Sequence, residues 1–356
     1  MKKNAVILGA TGAAGQNIVE FAWDHPWFEL GCLGASERSH GLNYKEAIRG
    51  AVFFGDEPGE EVLNMKVQDI NRLDPRDFDI AFSALPSEVA RVVEARFAEH
   101  IPVVSTASAY RYEPDVPILL PEVNPEHLHL VEAQRENRGW DGYVVPGPNC
   151  TTVGLVMTLK PIHDRFGVES VSMVSLQALS GAGEKGLRFD SPYRRSVEMN
   201  VLPLIEGEEE KVAHETNKIL GALNEGGVEP ASINVHATCT RVYVETVHTE
   251  AVHLGASRHV TVKEVREALE DFRSEPQTLR LPMAPEQPIH VVDDEYGPQP
   301  RVHGSYPDMV TLVGRLRENR LFRNGLSYVL TSDNLERGAG GGAMLTAELL
   351  LRKGYV

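Results

Sequence analysis

Short apolar runs and stretches of helical periodicity alternate through the first half of the chain. Residues 5–8, 28–34, 80–84 and 102–105 are mostly apolar, as in strands buried on both faces of a parallel sheet. Residues 16–23 and 88–99 repeat apolar positions at helical spacing. This alternation predicts an α/β domain built on a Rossmann-type, doubly wound parallel sheet.

The second half carries a different pattern. Residues 169–179 and 233–244 alternate apolar and polar positions over lengths typical of half-buried strands, and residues 261–272 form a long amphipathic helical stretch. Residues 149–333 are therefore expected to form an α+β domain that follows the α/β domain. A chain of 356 residues is long enough for two such domains.

A glycine turn follows the first predicted strand directly. The sequence GATGAAG occupies residues 9–15, between a buried strand and an amphipathic helix. Glycines allow a pyrophosphate to approach backbone N–H groups at the positive end of a helix. A tight packing turn would look similar, but the strand–turn–helix context favours a dinucleotide site. The candidate residues in this turn are Gly9, Thr11, Gly12, Ala13 and Ala14.

The residues after the second strand indicate which dinucleotide is bound. Ser36, Arg38 and Ser39 lie about 20 residues past the glycine turn, where the adenosine ribose is expected. Hydroxyls and a guanidinium suit the 2′-phosphate of NADP, whereas a carboxylate would suit NAD. Glu37 is a carboxylate that could bind the ribose of NAD, so NAD remains an alternative cofactor, and NADP is preferred. The residues after the strand at 80–84, with candidates Ser83, Leu85 and Pro86, are expected to border the same ligand.

Charge and cysteine content exclude several classes of protein. Asp and Glu number 51 against 35 Lys and Arg, a formal net charge of −16 that disfavours nucleic acid and anionic membranes as partners. The three cysteines are too scattered for a disulfide framework or a zinc site, so no metal is expected. No apolar run is long enough to span a membrane, and no secretory leader precedes the first strand. A cytoplasmic enzyme fits this composition.

One cysteine is placed for nucleophilic chemistry. Cys150 follows a Pro-Gly-Pro-Asn turn, and helical spacing resumes at once, so it is expected at a helix N-terminus. The helix dipole there is expected to lower the pKa of the thiol. Cys32 and Cys239 lie in strand-like runs and are expected to be inert. In the segment from Arg241 to His248, residues alternate as in one strand, which would direct both side chains toward one site.

Several motifs in a fixed order resemble those of aspartate-semialdehyde dehydrogenases, particularly the archaeal and fungal branch. The likeness covers the glycine turn, SERS at 36–39, RYEPDVP at 111–117, PEVNP at 121–125 and PNCTT at 148–152. It continues through SLQALSGAG at 175–183, GEEEK at 207–211, the 241–248 segment and RGAGG at 337–341. The resemblance therefore extends along nearly the whole chain.

The resemblance implies a function and a role for each site residue. The family reduces an aspartyl phosphate to the semialdehyde with NADPH, through a cysteine thioester, and serves lysine, threonine and methionine biosynthesis. Cys150 would be the nucleophile, Gln177 would orient the thiol and acyl oxygen, and His248 would be the general acid and base. Arg241 would pair with the substrate carboxylate, Glu208 with its amino group, and Arg111 and Lys211 with phosphate. Further cofactor contacts would come from Ser180, Gly181 and Asn334.

The family layout also implies the assembly. The last helix, at about 338–353, would return to the nucleotide domain, giving domains at 1–148 plus 334–356 and at 149–333. The sheet carrying Val171, Met173 and Val174 would be covered by another subunit, so a homodimer or a dimer of dimers is expected.

Three departures from the family border the expected pocket. Glu184-Lys185-Gly186 stands where Tyr-Pro-Gly is usual, Tyr243 and Val247 replace Pro and Gly, and Thr106 replaces Asn. These changes remove no nucleophile, acid or base. The substrate is consequently less certain than the reaction type: another acyl phosphate, or an acyl-CoA such as malonyl-CoA, remains the alternative, as does a non-catalytic NADP-sensing relative.

Overall fold

The fold is described from a computed structural model, which describes residues 2–53, 58–225, 227–307 and 309–356. The strands are β1 (Lys3–Leu8), β2 (Phe28–Ala35), β3 (Val67–Asp69), β4 (Ile80–Ser83), β5 (Pro102–Ser105), β6 (Tyr143–Pro146), β7 (Val168–Gln177), β8 (Ala222–Asn224), β9 (Gly227–Glu229), β10 (Asn234–Arg241), β11 (His248–Ala256), β12 (Ile289–Val291), β13 (Thr311–Asn319) and β14 (Gly325–Ser332). The α-helices are α1 (Ala13–Ala22), α2 (Tyr44–Ala47), α3 (Glu60–Leu63), α4 (Ser87–Ala98), α5 (Leu130–Arg138), α6 (Cys150–Phe166), α7 (Glu184–Leu187), α8 (Pro192–Val197), α9 (Glu208–Ile219), α10 (Val262–Glu270), α11 (Glu275–Leu279), α12 (Pro300–His303) and α13 (Gly341–Arg352).

The first half forms a parallel sheet in the order β3-β2-β1-β4-β5-β6. The order reverses between β1 and β4, which is the switch point where open α/β sheets bind nucleotides. The central strand β1 is covered on both faces, and Val6, Ile7 and Leu8 are fully buried. This arrangement confirms the predicted Rossmann-type domain.

The second sheet is mixed, in the order β10-β7-β11-β14-β13-β12. The long helix α6 packs on one of its faces, in a core that includes Val171 and Met173 of β7. These two residues were expected on the uncovered face, and that expectation is wrong because strand residues alternate between faces. The partly exposed apolar residues of β7 are Val174 and Leu176, on the opposite face from the core.

The C-terminal segment returns to the nucleotide domain. Met344, Leu345 and Leu349 of α13 share a hydrophobic core with Ile18 of α1 and Phe82 of β4. The helical stretch predicted from residue 338 begins instead with a π-helical turn, Glu336–Gly340, and becomes α-helical at residue 341. The exact domain bounds at 148/149 and 333/334 stay a prediction.

The segment from 240 to 250 is not one strand. β10 ends at Arg241 and β11 begins at His248, with β7 between them in the sheet. Arg241 pairs with Gln177 across β10 and β7, and Thr249 pairs with Leu176 across β11 and β7. The carboxyl ends of β7 and β10 and the start of β11 therefore lie side by side at one end of the second sheet.

No helix within the described ranges is long and apolar enough to cross a membrane.

Candidate active site

Cys150 lies at the start of a helix, where the sequence predicts it. Cys150 is the first residue of α6, and the preceding Asn149 is the N-cap, with its Oδ1 accepting from the backbone N–H of Thr151 (2.9 Å) and Thr152 (3.4 Å). Cys150 Sγ lies 3.4 Å from His248 Nε2. A thiol and an imidazole at this distance form the Cys–His pair that thioester chemistry requires.

The hydrogen bond at the other ring nitrogen fixes the tautomer of His248. The backbone N–H of Ala178 donates to Nδ1 at 3.1 Å, so Nδ1 must carry a lone pair. The proton of the neutral ring is therefore on Nε2, facing Cys150. Burial and the charge of Arg241 lower the pKa of His248 to about 3, which keeps the ring neutral at physiological pH.

The thiol does not have the lowered pKa that its helix position suggests. Burial raises the pKa of Cys150 to about 12, and the Glu208 carboxylate adds to the rise. Arg241, Arg111 and the backbone N–H of Thr151 act in the opposite direction without overcoming burial. The expectation of a lowered pKa is therefore wrong for the unliganded site, where the pair is a neutral thiol beside a neutral imidazole.

Gln177 and Arg241 flank this pair from the ends of β7 and β10. Gln177 is almost fully buried, and its amide donates to Ser175 Oγ at 3.2 Å. The Arg241 guanidinium is 3% exposed and donates through Nη1 to the carbonyl of Ala178 at 2.6 Å. The sheet edge therefore brings both predicted residues to the site.

Helix α9 presents Glu208 and Lys211 to the nucleophile turn. Glu208 is buried, and its Oε1 accepts from Asn149 Nδ2 at 2.8 Å and from Gln177 Nε2 at 3.5 Å. Lys211 Nζ lies 3.6 Å from the other carboxylate oxygen of Glu208. The acidic sequence of residues 206–210 would also suit a solvated surface helix, and the burial of Glu208 excludes that interpretation for this residue.

Arg111 reaches the site but is already ion-paired. Its Nη1 donates to Glu215 Oε1 at 3.1 Å, and its Nη2 donates to the carbonyls of Thr106 (2.9 Å) and Pro148 (3.2 Å). Arg111 is 5% exposed, and its buried Nε has no hydrogen-bond partner among the described residues. Two donors of the guanidinium, Nε–H and the second N–H of Nη1, are thus left for an anion without breaking an existing contact.

The cations predicted to attract an anionic substrate are partly neutralised. Arg111, Lys211 and Arg241 are accompanied by Glu208 and Glu215, both within hydrogen-bond or ion-pair distance of site residues. Three positive and two negative groups leave one net positive charge in the pocket.

The glycine turn has the geometry of a dinucleotide site. Gly9 has a φ of +88°, and a Cβ there would lie 2.7 Å from the carbonyl oxygen of Ala84, so a residue without a side chain is required. This contact brings Ser83, Leu85 and Pro86 beside the turn. Helix α1 begins directly after Gly12 and, with Ala13 and Ala14 in its first turn, presents free backbone N–H groups where a pyrophosphate would lie.

The residues beyond β2 fit a 2′-phosphate. Ser36 and Arg38 are exposed, and Ser39 is half-buried, in a short 3₁₀ turn. The competing carboxylate, Glu37, lies 3.8 Å from the guanidinium of Arg72. Arg72 therefore neutralises Glu37 and adds a second cation beside Arg38, which favours NADP over NAD.

The segment from Asn334 to the π-helical turn links the nucleotide turn to the nucleophile. Asn334 holds Ser180 through a side-chain hydrogen bond of 2.9 Å. Further along, the backbone N–H of Gly340 donates to Asn17 Oδ1 of α1 at 2.9 Å. Between these contacts, Gly338 lies against Cys150: a Cβ on Gly338 would stand 2.7 Å from Cys150 Cβ. The predicted cofactor residues Ser180 and Asn334 are therefore on the catalytic side of this link.

Two of the departures from the family alter the pocket wall. Val247, where glycine is usual, keeps a left-handed backbone with a φ of +71°, and its N–H donates to Asn334 Oδ1 at 3.1 Å. A β-branched residue in this conformation is strained, by about 1 to 3 kcal/mol. Lys185 is exposed, and its ammonium lies 4.7 Å from the centre of the Tyr193 ring.

Sequence reasoning missed four contributors to the site. Asn149 could have been found, because Asn before a helical run is an N-cap signal. Glu215 follows Glu208 by seven residues on α9 and therefore lies on the same helix face, which is also a readable signal. Tyr193 and the backbone N–H of Ala178 gave no signal, because only the folded chain brings them to Arg241 and His248.

Comparisons with known proteins agree with this geometry. Residues 4–131 match the family model "Semialdehyde dehydrogenase, NAD binding domain", and residues 159–337 match "Semialdehyde dehydrogenase, dimerisation domain". The chain is 47% identical to the aspartate-semialdehyde dehydrogenase of Methanothermobacter thermautotrophicus over 348 residues, which cover 98% of each protein. It is also 37% identical to the malonyl CoA reductase (NADP) of Metallosphaera sedula over 361 residues, covering 99% of this chain and 98% of that protein.

A solved structure gives the same result at the level of the fold. The crystal structure of aspartate semialdehyde dehydrogenase with NADP from Candida albicans superposes with a TM-score of 0.90, at 35% identity and with full coverage of both chains. These matches confirm the sequence resemblance. This chain belongs to the semialdehyde dehydrogenase family, in the aspartate-semialdehyde dehydrogenase branch that includes its archaeal and fungal relatives.

Proposed function

We propose that this protein is an NADP-dependent semialdehyde dehydrogenase that converts L-aspartyl 4-phosphate to L-aspartate 4-semialdehyde and phosphate. The single observation that carries the proposal is Cys150 at a helix N-terminus with its sulfur 3.4 Å from His248 Nε2, at the sheet edge that also presents Gln177 and Arg241. The same reaction is named for relatives up to 47% identical over nearly the whole chain.

Cys150 is the nucleophile. Its sulfur forms a bond to the acyl carbon, the bond from that carbon to the phosphate oxygen breaks, and the thiol proton leaves with the phosphate. The product on the enzyme is a thioester. NADPH, when bound, supplies the hydride that takes the thioester to the oxidation level of an aldehyde. The C–S bond then breaks, the carbonyl re-forms, and the sulfur regains a proton.

His248 acts through the proton on Nε2. Because Ala178 N–H occupies Nδ1, the ring donates a hydrogen bond toward Cys150 rather than accepting the thiol proton. That hydrogen bond stabilises negative charge on sulfur both during the attack and during the departure. The family resemblance implies that His248 is a general acid and base. In this site we assign it only the donation of a hydrogen bond from its neutral ring to the sulfur.

The substrate groups fit the remaining side chains. Arg241 receives the carboxylate, and Glu208 receives the amino group, which an aspartyl substrate has and a malonyl substrate lacks. Arg111, through its free Nε–H, and Lys211 hold the phosphate. Gln177 orients the acyl oxygen.

The nucleotide-binding residues fit NADP. Gly9, Thr11, Gly12, Ala13 and Ala14 would hold the pyrophosphate. The residues Ser36, Arg38 and Ser39 would hold the 2′-phosphate, Ser83, Leu85 and Pro86 would flank the cofactor along β4, and Ser180, Gly181 and Asn334 would border the nicotinamide.

The assembly and compartment are part of the proposal. A homodimer or dimer of dimers would cover the exposed Val174 and Leu176 of β7, and the matching family model is that of a dimerisation domain. Light scattering that gives a mass near 39.3 kDa would contradict this. The cytoplasm, where thiols stay reduced, suits a free Cys150.

A reductase of malonyl-CoA is the second candidate, because one relative carries that name at 37% identity. Both reactions proceed through a cysteine thioester, so the substrate alone separates them.

A spectrophotometric assay tests the proposal. Purified protein is mixed with NADP, phosphate and aspartate semialdehyde, and the reduced cofactor is followed by absorbance; Cys150→Ala is expected to abolish the signal. In parallel, malonyl-CoA and NADPH are supplied. Turnover of malonyl-CoA alone would replace the substrate assignment, and tight NADP binding with no turnover of either would identify a non-catalytic sensor.

A further inference from the structure

Tyr193 lies directly against the arginine that is proposed to receive the substrate carboxylate. Arg241 Nε donates to Tyr193 Oη at 3.2 Å, while Nη1 donates to the carbonyl of Ala178 at 2.6 Å. A guanidinium carries five N–H donors, so three of them, on Nη1 and Nη2, are left for a ligand. A carboxylate that binds Arg241 must therefore approach the Nη atoms, because Tyr193 occupies Nε.

The hydroxyl proton of Tyr193 is also available. A phenol can donate one hydrogen bond and accept others, and Tyr193 Oη accepts from Arg241. Among the described residues no acceptor lies within hydrogen-bond distance of Oη. The half-buried Tyr193 thus presents an unused O–H donor beside the unused N–H donors of Arg241.

Lys185 adds a positive charge beside Tyr193 and Arg241, and these three residues form the Tyr193 corner of the site. Its Nζ stands 4.7 Å from the centroid of the Tyr193 ring, a cation–π geometry. The acidic residues nearest in sequence, Glu184 and Asp190, both pair with Arg188. Lys185 takes part in no ion pair among residues 2–53, 58–225, 227–307 and 309–356, so its charge is free to act on a ligand.

This corner borders the reacting centre. A Cβ placed on Gly181 would lie 2.6 Å from Arg241 Nη1 and 3.1 Å from His248 Nε2, so both groups lie against the same glycine. Gly181 itself is exposed, so this part of the site lies next to solvent.

We propose that Tyr193 is a substrate-binding residue: its O–H and the Nη groups of Arg241 form one composite carboxylate site, with Lys185 seated on the Tyr193 ring. The ligand is the carboxylate of a short acyl substrate or semialdehyde, at the end remote from the reacting carbon. This inference rests on the proposed function of the same pocket, and it adds a hydroxyl and a cation to the arginine that the family resemblance implied.

Tyr193→Phe tests the hydroxyl. With aspartate semialdehyde we expect KM to rise about 10-fold, the scale of one hydrogen bond to a charged group, while kcat changes less than twofold. The KM for NADP is expected to stay unchanged. With propanal, which has no carboxylate, wild type and Tyr193→Phe are expected to have the same kcat/KM.

A matched control and a second variant complete this test. Tyr296→Phe removes a hydroxyl from a tyrosine that is 71% exposed and follows β12, at the opposite edge of the second sheet from β10, and it is expected to leave both substrates unaffected. Lys185→Met is expected to raise the KM for aspartate semialdehyde about threefold at low salt and to have no effect in about 0.5 M salt, since screening removes the attraction of an exposed charge. An equal effect of Tyr193→Phe on propanal, or no effect on either substrate, would overturn the inference.

A binding measurement separates this inference from the proposed function. Succinate, a short dicarboxylate, is expected to protect Cys150 from iodoacetamide at pH 9, read by mass spectrometry of the Cys150 peptide. Protection needs no turnover, so it is measured whether or not the enzyme accepts aspartate semialdehyde. A requirement for about 10-fold more succinate in Tyr193→Phe supports the composite site. Equal protection in both proteins refutes it, even if the dehydrogenase assay succeeds.

Discussion

Gly338→Ala perturbs the contact between the π-helical turn and Cys150, the proposed nucleophile. The new Cβ would stand 2.7 Å from Cys150 Cβ and 3.2 Å from Cys150 Cα, whereas carbon atoms pack at about 3.5 to 4 Å. The two segments must therefore separate by about 1 Å. Misplacing a reacting group by this amount costs about 100-fold in rate, so we expect kcat to fall about 100-fold.

Stability is expected to change much less than activity. Overpacking of this kind costs about 1 to 3 kcal/mol. Replacing glycine by alanine at a helical position returns up to about 1 kcal/mol, because the unfolded chain loses conformational freedom. The free energy of unfolding should therefore fall by about 0 to 2 kcal/mol, and the purified variant should be folded and bind NADP.

The assay combines initial rates, NADP titration by fluorescence and urea unfolding. Gly304→Ala is the control, because its φ of −64° accepts alanine and, among the described residues other than its chain neighbours, no atom lies within 4 Å of the added Cβ. If Gly338→Ala keeps kcat within threefold of wild type, the π-helical turn does not set the position of Cys150, and the reasoning fails.

Three further predictions concern ionisable groups. His248→Ala, which removes the donor that faces sulfur, should lower kcat about 100-fold with NADP affinity unchanged. Since the pKa of His248 is about 3, wild-type kcat should show no limb near pH 6.5; a limb there that disappears in the variant would contradict the neutral ring. Alkylation of Cys150 in the unliganded enzyme should accelerate steadily from pH 7 to 10, because its pKa is about 12, and a plateau near pH 8 would refute this. Burial lowers the pKa of Lys218 from 10.5 to about 8, so between these pH values the unfolded chain binds more protons than the folded protein. The free energy of unfolding of wild type, relative to that of Lys218→Met, should therefore rise by about 2 to 3 kcal/mol from pH 8 to 10. Chemical denaturation at each pH measures this difference.

Local signals in the sequence predicted the frame of the molecule well. The glycine turn, the buried strands and the Pro-Gly-Pro-Asn turn each act over a few residues, so position along the chain was enough to place Gly9 and Cys150 correctly. The pairing of Cys150 with His248 also followed, with help from the family resemblance.

Quantities that depend on packing could not be predicted in the same way. The pKa of Cys150 is decided by burial and by Glu208, which comes 58 residues later in the chain, and the helix position alone gave the wrong direction. The tautomer of His248 depends on a backbone N–H from another strand end. The segment from Arg241 to His248 alternates like one strand, yet β7 lies between its two ends.

The placement of reacting and recognising groups has an evolutionary consequence. Cys150, Gln177 and His248 sit at the ends of regular elements whose positions the core dictates, whereas Lys185 and Tyr193 belong to short helices between β7 and β10 that only border the pocket. Mutations in that connection can change which carboxylic acid binds while Cys150, Gln177 and His248 keep their positions. Substrate specificity in such a fold can therefore diverge while the reaction chemistry stays the same.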